Sequence, residues 1–258
     1  MSSLDQSKAP FPTKRVLGIN FFDGGAGEAV EWASQNGGLV VAPAGPSMIA
    51  LQSDDAYRDA IGQADLAIAD SGWMVLFWRI LRGEKLTRIS GLKFFKILLQ
   101  RPEVREQGNL FWVLPSESAR QKTLAWSRAE NFPTSPNDLY VAPHYGSRPE
   151  DFTLLEIVRA RKPKHVVIAI GGGMQDKIGN YLKKNCGYRP GIYCIGAAPG
   201  FVTGDQVRIP MWADRFYLGW IFRILAQPRV FVPRFWRARK LPSLIWKYGE
   251  EMPPPFSR

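Results

Sequence analysis

Sulfur and imidazole are scarce in this sequence. Among 258 residues there are two cysteines and two histidines. Cys186 and Cys194 stand outside any C-x-x-C spacing, so they offer neither a zinc pattern nor a disulfide framework. Free thiols of this kind fit a reducing cytoplasm. His144 and His165 alone do not make a multi-histidine metal site, and the sequence gives no metal or cofactor to expect. Long apolar runs are missing too. The best candidate for a membrane span, Trp73 to Leu81, is interrupted by Arg79. Residues 1–14 are polar and contain proline but no apolar core, which excludes a signal peptide and reads as a loose leader. The G-x-G-x-x-G fingerprint with its distant acid is absent, as is the P-loop, so a plain dinucleotide dehydrogenase or P-loop kinase drops out. Acid is the scarcer charge. Twenty-three Asp and Glu face thirty-four Lys and Arg, a net charge of +11. That excess asks for a polyanion, an anionic membrane or a phosphorylated substrate.

What is present is an alternating chain with a core. Hydrophobic residues make up 45% and charged residues 22%, a composition that packs. Apolar runs at 15–22, 39–42, 65–69, 110–114, 139–142, 165–170 and 192–195 read as strands. Helical stretches separate them at 26–35, 47–51, 55–63, 72–82, 91–100, 117 onward, 151–161 and 174 onward. Pro43 to Pro46 is too rich in Pro and Gly for helix. The helix 72–82 is apolar nearly all round, a pattern that predicts burial and leaves open a homo-oligomer built on it. Continuous apolar strands alternating with helices predict an α/β fold, one mostly parallel sheet covered on both faces. Residues 15–205 form that core, and 206–258 form a C-terminal appendage.

Chemistry in such a sheet belongs at the carboxyl ends of the strands. Asp70 ends the run Ala64 to Ala69 and precedes a helix. It is either a catalytic carboxylate or the N-cap of helix 72–82. Four loops share the rim: 43–47 with Gly45 and Ser47, 70–72, 144–148 with His144, Tyr145 and Gly146, and 171–176. Gly171, Gly172 and Gly173 before a helix suit a phosphate, or are simply a tight turn. Gln175 and Asp176 reach a ligand or cap that helix. Arg88 with Ser90 is a phosphate clamp or a solvated charge. His144 is a general acid or base, or a structural histidine.

The C-terminal segment mixes cations with rings: Arg208, Trp212, Arg215, Trp220, Arg223, Arg229, Arg234, Trp236 and Arg237, with Asp214 the one acid between 208 and 247. That mixture suits a membrane interface. RNA binding is the rival, and packing of the rings on the core is a third reading.

These blocks also resemble a known family, the WecG/TagA/CpsF glycosyltransferases. Ala64-Asp-Leu-Ala-Ile-Ala-Asp-Ser-Gly is similar to the family's ADLVIPDGxG. Arg88-Ile-Ser-Gly resembles RVTG or RVAG, and Gly171-Gly-Gly-Met-Gln-Asp resembles GxPKQE. Gly196 to Gly204, Arg208-Ile-Pro-Met-Trp, Gly219 to Leu225 and Gln227-Pro-Arg resemble the family's ending. The resemblance runs from about Val16 to Arg229. It implies a Rossmann-like domain of the GT-E type with a membrane-docking appendage. It implies inverting, metal-independent transfer from a UDP-sugar donor to a polyprenyl-diphosphate-sugar acceptor on the cytoplasmic face of the inner membrane, without nucleic acid. By the same resemblance Asp70 is the base, and Arg88 and Gln175 are pocket residues. The chain departs from the family at Ala42 to Ser47, where TPNPE is lost, near Gly200, at Met174 to Asp176 and at His144 to Ser147. The donor therefore stays open between an N-acetylmannosamine nucleotide and a neutral hexose such as glucose.

Overall fold

The structure is a computed structural model and describes residues 11–146, 149–206, 229, 232, 233, 236 and 238–256. It opens on a hairpin, β1 (Thr13–Val16) and β2 (Ile19–Phe22), followed by α1 (Ala26–Asn36) and β3 (Gly38–Val41). Next come α2 (Gly45–Met48), a 3-10 turn at Ile49–Gln52, α3 (Asp55–Gly62), β4 (Leu66–Ala67), α4 (Gly72–Arg82) and α5 (Gly91–Leu98). The second half runs β5 (Leu110–Leu114), α6 (Glu117–Ala129), β6 (Leu139–Val141), α7 (Phe152–Arg161), β7 (His165–Ile168), α8 (Met174–Asn185), β8 (Gly191–Cys194) and α9 (Ala198–Thr203). Near the C-terminus lies α10 (Leu241–Tyr248).

The strands form one sheet in the order β1-β2-β4-β3-β8-β7-β5-β6. Every pairing is parallel except β1 with β2. The predicted α/β architecture is therefore the observed one. β3, β5, β7 and β8 are buried along their whole length, as apolar strands covered on both faces must be. One layer of the core packs α2, α3, α4, α7, α8 and α10 on the sheet, and the other packs α1, α5, α6 and α9. Connections that step from β3 to β4, β6 to β7 and β7 to β8 move one way and use the first layer. Those from β2 to β3 and β5 to β6 move the other way and use the second. A uniform crossover hand requires that division. It also brings all the parallel strands' carboxyl ends to one rim.

Several expectations change. The single strand read at 15–22 is a hairpin. Leu17 and Gly18 take φ of +48° and +78°, the primed-turn geometry that lets two strands reverse over two residues. Pro43 to Pro46 is not all turn: α2 starts at Gly45, with Pro46 tolerated in the first turn, where its missing N–H breaks no helical bond. The helix 72–82 exists with those bounds, yet only Met74, Val75 and Trp78 are buried. Leu76 and Ile80 are 39% and 64% exposed, so apolar composition did not bury the whole helix.

The ends also differ from the simple scheme of leader, core and appendage. Thr13 and Lys14 belong to β1, and Phe11 packs edge-on against Phe22 and Trp32. At the other end α10 buries Leu241, Leu244 and Ile245 in the same core layer as α4. Residues 249 and 250 accept the N–H groups of the hairpin turn, Leu17 to Gly249 O and Gly18 to Glu250 O, each at 2.8 Å. Arg58 donates to the Pro253 carbonyl. The stretch 238–256 is thus built into the main body. Arg208, Trp212, Arg215, Trp220, Arg223, Arg234 and Arg237 lie outside the described residues. Trp236 is 65% exposed, with the Arg239 guanidinium 4.0 Å from its ring centre, and Arg229 is exposed.

Candidate active site

Asp70 lies just past β4 and is half-buried. It does not cap α4. Ser71 does, accepting the Met74 N–H on Oγ at 3.2 Å. The Asp70 carboxylate instead reaches the start of a different helix, where Oδ1 accepts the Gly91 N–H of α5 at 2.9 Å. The loop before α5 is laid across the end of β4. Ile89 N–H donates to Ala69 O at 3.2 Å, and Arg88 Nε donates to Asp70 O at 3.1 Å. On its far side Thr87 N–H donates to Asp23 Oδ1 at 2.8 Å, so the loop is held at the ends of both β2 and β4. Ser90 is the N-cap of α5 and accepts from Lys93 N–H at 3.1 Å. Asp70, Arg88 and the α5 N-terminus are one unit at the rim, with the carboxylate on the head of α5 and the guanidinium on the Asp70 backbone carbonyl.

The rim continues through close backbone approaches. A Cβ on Gly91 would lie 2.9 Å from the Ile195 carbonyl oxygen, so α5 meets the end of β8 at its first residue. A Cβ on Gly45 would lie 3.0 Å from Ser71 Oγ, and one on Gly172 would lie 2.7 Å from Ser47 Oγ. Gly45, Ser47, Ser71 and Gly172 therefore join loops 43–47, 70–72 and 171–176 into one surface. Three strand spacings separate β4 from β7, about 14 Å at ~4.8 Å each.

Gln175 is buried, and its Oε1 accepts the Gly196 N–H at 3.1 Å. Its side chain ties the glycine loop to the end of β8. Asp176 closes a capping box by accepting the Gly173 N–H on Oδ2 at 3.0 Å. Burial pushes the Asp176 carboxyl up to about 7, against the lowering effect of backbone N–H groups, Gln175 and Lys177.

His144, Tyr145 and Gly146 follow β6, the edge strand, five strand spacings or about 24 Å from β4. His144 and Gly146 are exposed. Tyr145 OH donates to Asp151 Oδ2 at 2.6 Å, as Tyr140 OH does at 2.9 Å, while Asp151 Oδ1 caps α7 through Leu154 N–H. The structure thus keeps this loop away from Asp70 and gives its tyrosine a structural partner. His165, the other histidine, is buried at the opposite end of the sheet with Nδ1 2.9 Å from Tyr193 OH. Burial lowers it to about 4, which makes it a neutral core residue. Among the described residues no three His, Cys, Asp or Glu side chains cluster as a metal site requires.

Sequence reasoning missed the partner of Asp70. A signal was present: Ser71 is itself a good N-cap for 72–82, which leaves Asp70 available for other work. Gly91 N–H carried no signal, since it comes from a helix 21 positions away.

Two comparisons bear on this arrangement. A sequence profile of the "Glycosyl transferase WecG/TagA/CpsF family" matches residues 14–254. The chain is also similar to the N-acetylglucosaminyldiphosphoundecaprenol N-acetyl-beta-D-mannosaminyltransferase of Bacillus subtilis (strain 168). The two are 24% identical over 219 residues, covering 83% of this chain and 78% of the relative. The match includes the hairpin, Asp70 with its Arg88 loop, the glycine loop and α10, and by it the chain belongs to the WecG/TagA/CpsF family of glycosyltransferases.

Proposed function

We propose that this glycosyltransferase moves a sugar from a UDP-sugar onto a polyprenyl-diphosphate-linked sugar, with inversion and without a metal, in the assembly of an exopolysaccharide, capsule or cell-wall polymer. The observation that carries the reading is the Asp70 carboxylate, fixed on the Gly91 N–H beside Arg88 at the carboxyl rim of the sheet. The relative from Bacillus subtilis supports the acceptor class, since its name specifies an undecaprenol-diphosphate-linked sugar.

In this reaction Asp70 takes the proton of the acceptor hydroxyl. The freed oxygen attacks the anomeric carbon from the face opposite the nucleotide. The carbon–oxygen bond to UDP breaks, its electron pair passes to the β-phosphate, and the anomeric configuration inverts. Negative charge grows on the diphosphate, so cations and N–H donors must face it. Arg88, the N–H groups of the 171–175 loop at the head of α8 and a C-terminal arginine such as Arg208 are the candidates. The +11 charge suits both an anionic lipid diphosphate and an anionic membrane. Among the described residues no helix is long and apolar enough to cross a membrane. The proposed placement is peripheral, on the cytoplasmic face of the inner membrane, docked by the basic aromatic segment 206–237.

A panel of UDP-sugars with a polyprenyl-diphosphate-sugar acceptor tests the chemistry through UDP release. Turnover with one donor, lost on chelation of divalent cations, would refute the metal-free part. No turnover with any donor would refute the substrate assignment. Liposome flotation with and without 25% anionic lipid tests docking, and equal flotation in both would sink it. Salt-sensitive RNA binding without liposome binding would favour the rival reading.

A further inference from the structure

Beneath the glycine loop lies a group of buried polar atoms that the reaction above does not use. Asp176 Oδ2 holds Gly173 N–H from below, while its Oδ1 is buried with no partner among the described residues. Tyr57 of α3 is wholly buried, and its ring carbon Cδ2 would lie 4.0 Å from a Cβ placed on Gly173. Its hydroxyl also has no partner there. Asn180, one turn along α8 from Asp176, donates Nδ2 to Asp59 Oδ2 at 2.9 Å. That bond fixes the amide's orientation, and the Asn180 Oδ1 is the third unpartnered atom.

Buried orphan polar atoms are costly, each by about 1–3 kcal/mol. While Asp176 is ionised, Asp176 Oδ1 and Asn180 Oδ1 can only accept, and besides the Gln175 amide, which favours the ionised form, the tyrosine is the one of the three that brings a proton. A proton on Asp176 would turn one of these buried acceptors into a donor. Lys177 does not supply it freely, since its ammonium pairs with Asp54 at 2.9 Å. The other charged neighbours are Asp59, paired with Lys184, and on β8 the Cys194 thiol, which burial raises well above its usual value.

The loop above is shaped by the same contact. Gly171 and Gly173 take φ of +107° and +84°, and Gly173 N–H turns down to Asp176. Among the described residues the Gly172 and Met174 N–H groups make no backbone hydrogen bond outside the helices and strands, and they stand at the head of a 12-residue helix. Building on the diphosphate role proposed for this loop, we propose that Asp176 is a positioning residue for the donor. As a neutral acid it pulls Gly173 N–H inward, so that the Gly172 and Met174 N–H groups face the donor's diphosphate.

Neutrality matters because an ionised carboxylate directly under an anion site repels the ligand. The protonated form binds the donor and the ionised form resists it. Desolvation holds the carboxyl near 7, so the switch falls in the working pH range.

The test measures the dissociation constants of UDP-glucose and UDP-N-acetylglucosamine for the full chain at pH 6, 7 and 8. Wild type is compared with Asp176→Asn and Asp176→Ala in the same buffers, so that ligand ionisation cancels in the ratio. Wild-type affinity is expected to weaken about tenfold from pH 6 to pH 8, as one-proton linkage near 7 requires. Asp176→Asn, isosteric with the neutral acid, stays flat at the wild-type pH 6 value. Asp176→Ala, which frees Gly173 N–H, binds about tenfold more weakly at every pH, by the size of a lost cap. In turnover its donor KM rises while kcat stays within about threefold, since the contact serves binding rather than the chemical step. An equal pH slope in wild type and Asp176→Asn overturns the proposal. So does unchanged affinity in Asp176→Ala, and Asp176→Asn decides alone if the alanine variant does not fold. Failure of wild type to bind either UDP-sugar at any pH overturns the donor reading, whereas wild-type binding without a pH slope overturns only the role of Asp176.

Discussion

Asp70 has two separable jobs, and two substitutions pull them apart. Its Oδ1 accepts the Gly91 N–H at 2.9 Å, and its carboxylate is the proposed base. Asp70→Asn keeps a carbonyl oxygen for Gly91 but cannot take a proton. Asp70→Ala removes both. Loss of a general base costs about 10²–10⁴ in rate, which is about 3–5 kcal/mol of transition-state stabilisation. Loss of one half-buried hydrogen bond costs about 1 kcal/mol of stability. In a chain of this size that lowers the melting temperature by about 2–4 °C. UDP release with the preferred donor and thermal unfolding, both at pH 7.5, read the two effects. Asp70→Asn should melt with wild type and lose at least a hundredfold in kcat. Asp70→Ala should lose the same activity and melt lower. An Asp70→Asn variant that keeps more than a tenth of the rate would refute the base assignment. Activity lost only in step with melting temperature would make Asp70 structural.

Three further outcomes follow from the same geometry. Gly91→Ala places a methyl group 2.9 Å from the Ile195 carbonyl, a backbone atom that cannot swing away. It should cost about 1–3 kcal/mol by overpacking and displace the N–H that holds Asp70, which unfolding midpoints and turnover would both register. Asp176→Asn should change the pH dependence of stability. The folded carboxyl keeps its proton up to about 7 while the unfolded one releases it near 3.8, so the folded state binds more protons between those values and wild type loses stability as pH rises through them. The gap between variant and wild type should be near zero at pH 4 and open to at most roughly 4 kcal/mol by pH 8, about three units at 1.36 kcal/mol each, and a gap constant in urea titrations would contradict it. Gly18→Ala puts a Cβ 2.5 Å from Met252 Cβ at a φ of +78°, so it should loosen 249–252 and lower the melting temperature by several degrees. No change would mean that the C-terminal strap contributes little.

Much of this site could be read before the fold was known. Asp70 at a strand end, Arg88 before a glycine and three glycines before a helix are local patterns; the sequence put Asp70 and the glycines on the carboxyl rim, and the structure brings the Arg88 loop there beside Asp70. The pairings among them are not local. The Ser71 cap competes with Asp70 over one residue, and only the position of α5 decides between them. Gln175 reads as reaching a ligand or capping its helix, and the resemblance makes it a pocket residue; only the fold puts its Oε1 on the Gly196 N–H. Tyr145 reads only as a member of the rim loop with His144, and the structure puts its hydroxyl on Asp151 at the N-cap of α7.

By itself, then, the sequence determined the alternation of buried strands and helices, the glycine-rich turns and the excess of positive charge. Those follow from burial periodicity, backbone sterics and composition, which act over a few residues at a time. Only the tertiary structure decided that Asp70 meets the head of α5, that α10 joins the core and that Asp176 lies buried under the glycine loop. Each of these depends on where elements far apart in the chain come to rest. The carboxylates show the difference most simply: one residue type is half-exposed at the rim as Asp70 and buried with an unpartnered oxygen as Asp176, and packing alone separates them.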